Sequence, residues 1–161
     1  MIELKNIQSD KEVHGQYMTP ISLADNLLSR VDLSGDNVFI EPAFGTGNFI
    51  DALLLSDIDG NNIIGVELYE SLFNQFGDKD NGVTITNKNF YDFNCKTDKR
   101  IIFFGNLPFR TPASSLTTHK EEIKRLTKKF DVKGIREECV FFILKLTELL
   151  QDNNGGELHF I

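Results

Sequence analysis

The residues best suited to chemistry lie in two loops, each expected at the end of an apolar strand. The first loop reads Phe39-Ile40-Glu41-Pro42-Ala43-Phe44-Gly45-Thr46-Gly47-Asn48-Phe49-Ile50. Gly45 and Gly47 let the backbone turn tightly and approach a ligand with no Cβ in the way. The helix expected to follow offers unpaired N–H groups at its start. Glu67 lies 20 residues beyond Gly47, at the end of the next expected strand. A carboxylate there can accept hydrogen bonds from both hydroxyls of a ribose. The pattern is GxG and not GxGxxG, a poor fit to a dinucleotide fingerprint, and a plain strand-to-helix turn uses glycines in the same way.

The second loop is Gly105-Asn106-Leu107-Pro108-Phe109. Ligands of open α/β sheets bind beyond the carboxyl ends of the strands. The Asn106 side-chain oxygen and the Leu107 carbonyl can both accept from an exocyclic amine. The Phe109 ring can stack on a flat base, worth about 1–3 kcal/mol. Taken alone, the stretch reads as a turn with a buried Phe. A third stretch, Gly15-Gln16-Tyr17-Met18-Thr19-Pro20, reads by composition as a helix cap preceded by a packed Tyr.

The elements that must position these loops alternate between strand and helix. The stretch up to about Val13 is polar and expected to be an arm. Leu23, Leu27, Leu28 and Val31 share one face of a helix over Ile21 to Val31, with Thr19-Pro20 as cap and first-turn pair. Strands are expected over Asn37 to Ile40, Asn62 to Val66, Val83 to Thr86, Arg100 to Phe104 and from Glu157. Helices are expected over Asn48 to Leu55, Ser71 to Phe76 and Glu137 to Leu150, with a loop and a Lys-rich surface helix between Thr111 and Lys133. Continuous apolar strands suit a parallel sheet covered on both faces. The fold class is therefore α/β, doubly wound.

The chain has 161 residues and a formal net charge of −7. That length suits one domain. No apolar run reaches the roughly 20 residues of a membrane span. Cys95 and Cys139 lack CxxC spacing, and the N-terminus carries no export signal, so reduced thiols in the cytoplasm are expected, with no metal site. An acidic chain gains nothing from its overall field toward a polyanion. Its one basic cluster is Lys120, Lys124, Arg125, Lys128 and Lys129, which reads as a solvated helix face or as a patch touching phosphates.

Together, and in this order, the three stretches resemble class I methyltransferases that modify adenine N6 in DNA, of the kind found in restriction–modification systems. EPAFGTGNF is similar to that family's cofactor loop, GNLPF to its catalytic tetrapeptide, and GQYMTP to the segment closing over the cofactor. The resemblance implies a Rossmann-like methyltransferase fold and S-adenosylmethionine as cofactor. It implies that Tyr17, Thr19, Pro20, Glu41, Ala43, Gly45, Thr46 and Gly47 contact the methionine and ribose, and that Glu67 holds the ribose hydroxyls. It places Leu68, Asn89 and Phe90 at the cofactor adenine. The family has an acidic residue where Asn89 stands, unless Asp92 takes that part. Asn106, Leu107, Pro108 and Phe109 become the catalytic loop. The target adenine would leave the duplex to be reached. Transfer would rest on orientation and on dipoles facing the developing charge, without metal, covalent intermediate or a role for His14, His119 or His159.

On this reading residues 1–14 are an arm and 15–161 a catalytic domain incomplete at its C-terminus. Target recognition on double-stranded DNA then falls to a missing region or a partner chain. Leu107, where the DNA enzymes carry Pro, and the Gly15-Gln16 pair also suit adenine-N6 dimethyltransferases of ribosomal RNA. A non-catalytic cofactor-binding or assembly subunit is the third reading.

Overall fold

The computed structural model describes residues 19–77, 81–108, 119–134 and 137–161. The expectations placed on the arm, on Tyr17 and on Phe109 lie outside the described residues. Within them the chain runs α1 (Ile21–Leu28), β1 (Asn37–Glu41), α2 (Asn48–Leu55), β2 (Ile63–Glu67), α3 (Glu70–Phe76), β3 (Thr84–Asn87), β4 (Arg100–Gly105), α4 (Lys120–Lys129), α5 (Glu138–Gln151) and β5 (Gly156–Phe160). Two three-residue 3-10 turns, Gly60–Asn62 and Phe90–Asp92, precede β2 and follow β3.

All strand pairs are parallel, in the order β3-β2-β1-β4-β5. The order reverses between β1 and β4, so the carboxyl ends of these two strands flank the switch point where such sheets bind ligands. Their register pairs Phe39 with Ile102 and Ile40 with Phe103. Side chains alternate across a strand, which divides the core in two. Val38, Ile40, Ile101 and Phe103 pack beneath α4 and α5, against Leu126, Phe141 and Leu146. Phe39, Ile102 and Phe104 pack on the other face with Ala24 and Leu28 of α1 and Ile50 and Leu53 of α2. Continuous apolar β1 and β4 are thus buried on both sides. The edge strand β3, Thr84-Ile85-Thr86-Asn87, is only half-buried.

Two local expectations shift. Pro20, not Thr19, is the cap residue of α1, and its carbonyl accepts from Leu23 and Ala24 N–H at 2.9 and 3.2 Å. The Thr19 carbonyl is taken instead by the Asn48 side chain. Helix α1 also ends at Leu28, three residues short of Val31.

The basic cluster divides. Glu148 of α5, 6% exposed, accepts from Arg125 Nη1 and Nη2 at 2.7 and 2.5 Å and from Lys129 Nζ at 2.8 Å. Arg125 also holds Glu122. Two of the five basic residues therefore bind α4 to α5. Among the described residues no ion pair is recorded for Lys120, Lys124 or Lys128 at i, i+4 and i+8.

The Arg125 hydrogen bond, and then that of Lys129, hold the Glu148 carboxyl down to about 2. A value lowered on folding contributes stability above the ordinary 4.5, and that stability is lost as pH falls toward 2. We expect Glu148→Gln to be less stable at neutral pH, with the difference from the parent closing across that acid window, as followed by circular dichroism.

Candidate active site at the switch point

The turn after β1 begins with Phe44 N–H donating to the Val66 carbonyl (3.1 Å) and Gly47 N–H to that of Phe44 (2.7 Å). Gly45 and Gly47 both take positive φ, +56° and +84°. At Gly47 space as well as conformation demands glycine, because a Cβ would stand 2.2 Å from Phe76 Cε2. Phe76 packs against Phe44 with ring centroids 5.2 Å apart and planes tilted by 55°, and the Phe44 ring fills the hollow above Gly65. The loop is thereby pressed down on the sheet. Gly47→Ala is expected to cost about 1–3 kcal/mol, as overpacking does. That would appear as a fall of about 2–4 °C in Tm per kcal/mol, measurable by calorimetry.

Glu67 closes the same turn from the neighbouring strand. Its Oε2 accepts from Gly45 N–H and its Oε1 from Tyr69 N–H, both at 2.8 Å. Burial raises its carboxyl above the ordinary range, and the amides of Tyr69, Gly45 and Leu68 oppose that rise. Each oxygen keeps a further lone pair. Glu67 therefore fixes the glycine loop and retains acceptor capacity. Asn87 of β3 supports it by donating to the Glu67 and Leu68 carbonyls at 2.8 and 3.1 Å. Leu68 itself stands 49% exposed on the rim.

On the other side of the switch point β4 ends in Gly105, with φ of +148°. A Cβ there would sit 3.6 Å from Glu41 Cγ and 3.7 Å from Pro42 Cδ. The ends of β1 and β4 are thus in contact. Leu107 buries its side chain in the core below α5 and anchors the loop, which leaves half-buried Asn106 above the strand ends.

These two loops share one cavity. Thr19, Glu41, Ala43, Gly45, Thr46 and Asn106 line it, with Asn48 at its edge. Its volume is about 40 Å³, far below the roughly 300–1,000 Å³ of ligand pockets. It has room for reacting atoms, while a nucleoside would extend along the rim. Thr19 reaches the cavity because its carbonyl accepts from Asn48 Nδ2 at 2.6 Å. This bond ties the segment before α1 to the start of α2.

Glu41 is the most unusual group at the site. It is 3% exposed, and among the described residues its Oε2 has no hydrogen-bond partner. Burial raises its carboxyl well above the ordinary value; the Glu67 charge adds to this, and the Ile50 amide opposes it. An uncompensated buried carboxylate is costly and is suited to receive a cation or donor from a ligand.

The other expected residues lie apart from the cavity. Pro20 is exposed at the start of α1. Asn89 caps the turn after β3, its Oδ1 accepting from Tyr91 N–H at 3.0 Å. Phe90 is 2% exposed and stacks with Phe93 and Phe142 at 5.8 and 5.1 Å, so its ring serves the core. Asn48, Asn87 and His119 contribute contacts that sequence reasoning passed over. Asn48, directly after Gly47 at a helix start, carried a legible signal. The pairings of Asn87 and His119 join residues 20 and 30 positions apart.

A parallel sheet with this strand order, covered on both faces by helices, is a Rossmann-like methyltransferase fold. The chain is similar to the type II methyltransferase M.NspV of Nostoc sp., at 22% identity over 94% of this chain and 36% of that one. It thus spans about a third of that relative's length. Among solved structures it superposes on a Listeria monocytogenes protein assigned to the class I methyltransferases, with TM-score 0.59, 21% identity and coverage of 89% of this chain and 45% of that one. It also superposes on the type IIG restriction endonuclease BpuSI, with TM-score 0.62, 19% identity and coverage of 83% and 18%. No family model matches the chain. Among the described residues no helix is long and apolar enough to cross a membrane.

Proposed function

We propose that this chain is the catalytic part of an enzyme that transfers a methyl group from S-adenosylmethionine to the N6 amine of adenine in DNA. The observation that carries the reading is the cavity shared by Asn106 and the Gly45 loop, lined also by the buried Glu41 carboxylate, one oxygen of which has no hydrogen-bond partner among the described residues. Such an oxygen fits the ammonium of the cofactor's methionine end, where pairing would relieve the strain of an isolated buried charge. Ala43, Gly45 and Thr46 would line the methionine and Glu67 the ribose, through the lone pairs its two amide bonds leave open. Leu68 and Asn89 on the rim would border the adenine.

S-adenosylmethionine, when bound, supplies an electrophilic methyl group on a sulfonium sulfur. The chain's part is to hold the acceptor amine in line with that methyl. The Asn106 carboxamide oxygen accepts a hydrogen bond from the N6 amine, and the Leu107 carbonyl is the natural second acceptor. Both acceptors turn the nitrogen lone pair toward the donor and stabilise positive charge developing on nitrogen. The proton then leaves from N6 to solvent. Burial of the Leu107 side chain, at 4% exposure, supports this by fixing the backbone next to Asn106.

The similarity to a type II methyltransferase supports a DNA substrate. Label transfer from S-adenosylmethionine tests the reading. We expect N6-methyladenine in the nucleoside digest of double-stranded DNA and little in that of ribosomal RNA. Label in RNA alone would reassign the substrate. Cofactor binding without transfer to either would make the chain a binding subunit.

A further inference from the structure

The turn after β3 is tied to the start of α4 by a chain of hydrogen bonds running from Tyr91 through Asn89 and His119 to Asp92. Tyr91 N–H points at one side-chain atom of Asn89 at 3.0 Å. Only an oxygen can face that donor, so the amide orientation follows from the network. The Asn89 NH₂ then faces His119 Nδ1 at 3.3 Å. Because Asn89 donates there, Nδ1 carries a lone pair and no proton. The ring proton sits on Nε2, which faces Asp92 Oδ2 at 3.1 Å. Asp92, the acidic residue three positions beyond Asn89, is thereby committed to His119.

Asn89 keeps one lone pair on Oδ1 and one hydrogen on Nδ2. A carboxamide with both open matches adenine, which presents a donor amine beside an acceptor ring nitrogen. An Asp at this position could only accept. We propose that His119, as its Nε2–H tautomer, is a positioning residue that holds the Asn89 carboxamide in the orientation that reads the adenine of the cofactor. The inference rests on the cofactor reading proposed above.

Protonation of His119 puts a hydrogen on Nδ1 against the Asn89 NH₂, so two donors face each other and the orientation is lost. The Asp92 carboxylate faces the imidazole from the same turn, and the Tyr91 ring lies 5.7 Å away. Beyond Asp92 a polar cavity brings Glu122 and Arg125 of α4 and Lys145 and Glu148 of α5. The last four largely satisfy one another, since Arg125 bonds both glutamates and Lys145 lies 3.6 and 3.9 Å from them. Among the described residues, Asp92 faces the ring nitrogen at 3.1 Å.

The probe is 5′-methylthioadenosine, which carries the adenosine half of the cofactor and no ammonium, so Glu41 does not enter. Its affinity would be measured by calorimetry between pH 8 and 5.5, on the parent, His119→Gln and His119→Phe. A proton on Nδ1 of His119 should lower the parent's affinity roughly five- to tenfold, the worth of a lost hydrogen bond. His119→Gln, which offers an acceptor that does not titrate, should bind with a flat profile near the parent's neutral-pH affinity. His119→Phe should bind weakly at every pH. Nitrogen-15 spectra of histidine-labelled protein, assigned by the His119→Gln spectrum, should show Nδ1 of His119 unprotonated at pH 8. Amide spectra of the variants check that α4 stays folded. A protonated Nδ1 at pH 8, or superimposable pH profiles in parent and His119→Gln, would overturn the proposal while leaving the cofactor reading intact. Absence of binding by both 5′-methylthioadenosine and S-adenosylmethionine at pH 8 would overturn both.

Discussion

Asn106→Ala is expected to lower methyl transfer by about 10²- to 10³-fold, the usual cost of removing one group aimed at developing charge. Cofactor affinity should stay within about twofold, because the groups assigned to the donor come from the β1 loop and β2. The size of the effect follows from position. Asn106 leaves β4 directly after Gly105, whose backbone lies against Glu41 and Pro42. The side chain therefore borders the cavity from a rigid strand end, and alanine removes the acceptor without moving that end. Leu107 stays in the core and keeps the loop in place. Kinetics under saturating cofactor, together with calorimetric titration of S-adenosylmethionine, separate the two effects. An equal loss of binding and turnover would mean that Asn106 holds the donor instead.

Glu41→Gln should act in opposite directions on stability and on binding. In the free protein burial raises the Glu41 carboxyl well above 4.5, with the Glu67 charge adding to the rise. A carboxyl raised on folding binds its proton more tightly in the native state than in the unfolded chain. Its contribution to stability is therefore fully present below 4.5 and lost as pH rises through the raised value. At neutral pH the glutamine variant escapes that loss, so its Tm should exceed the parent's and the dependence between pH 5 and neutrality should flatten. Cofactor binding should weaken by about 10–100-fold, the worth of a hydrogen bond between charged groups. In the parent, affinity for a cationic donor should fall as pH drops through the raised value. A variant both less stable and equal in affinity would show that Glu41 is a structural carboxylate. Sites that destabilise the empty protein in order to hold a ligand are a familiar trade of stability against function.

Much of this arrangement was legible in the sequence because the chemistry sits on long, uniform elements. The apolar runs of β1 and β4 and the Asn48–Leu55 helix carry unambiguous patterns, and the glycine loop between β1 and α2 is bounded by them. Asn106 could be placed at a strand end for the same reason. The side of the sheet around β3 was less legible. Its residues Thr84-Ile85-Thr86-Asn87 form a half-buried edge strand, and Phe90–Asp92 is a single turn with no periodicity to read. Phe90 was accordingly expected at the ligand and lies in the core. Its ring stacks on Phe142 of α5, a residue 52 positions later. The double use of Glu67, as clamp on Gly45 and as candidate ribose ligand, depends on hydrogen bonds to backbone amides, and these leave no trace in residue types. The partition of the basic cluster was hidden in the same way. Arg125 and Lys129 differ from Lys120 and Lys124 only in facing Glu148 across two helices.

The central claim is that the loops after β1 and β4 close on one reaction centre. A crystal structure of the protein with S-adenosylhomocysteine and adenosine tests it most directly. The account predicts the sulfur between the Gly45 loop and Asn106, the ammonium on Glu41, and the adenosine amine on the Asn106 oxygen, pointing at the sulfur across the space a methyl would fill. Clear density for the homocysteine sulfur away from Asn106, or for adenosine on a different edge of the sheet, would contradict it.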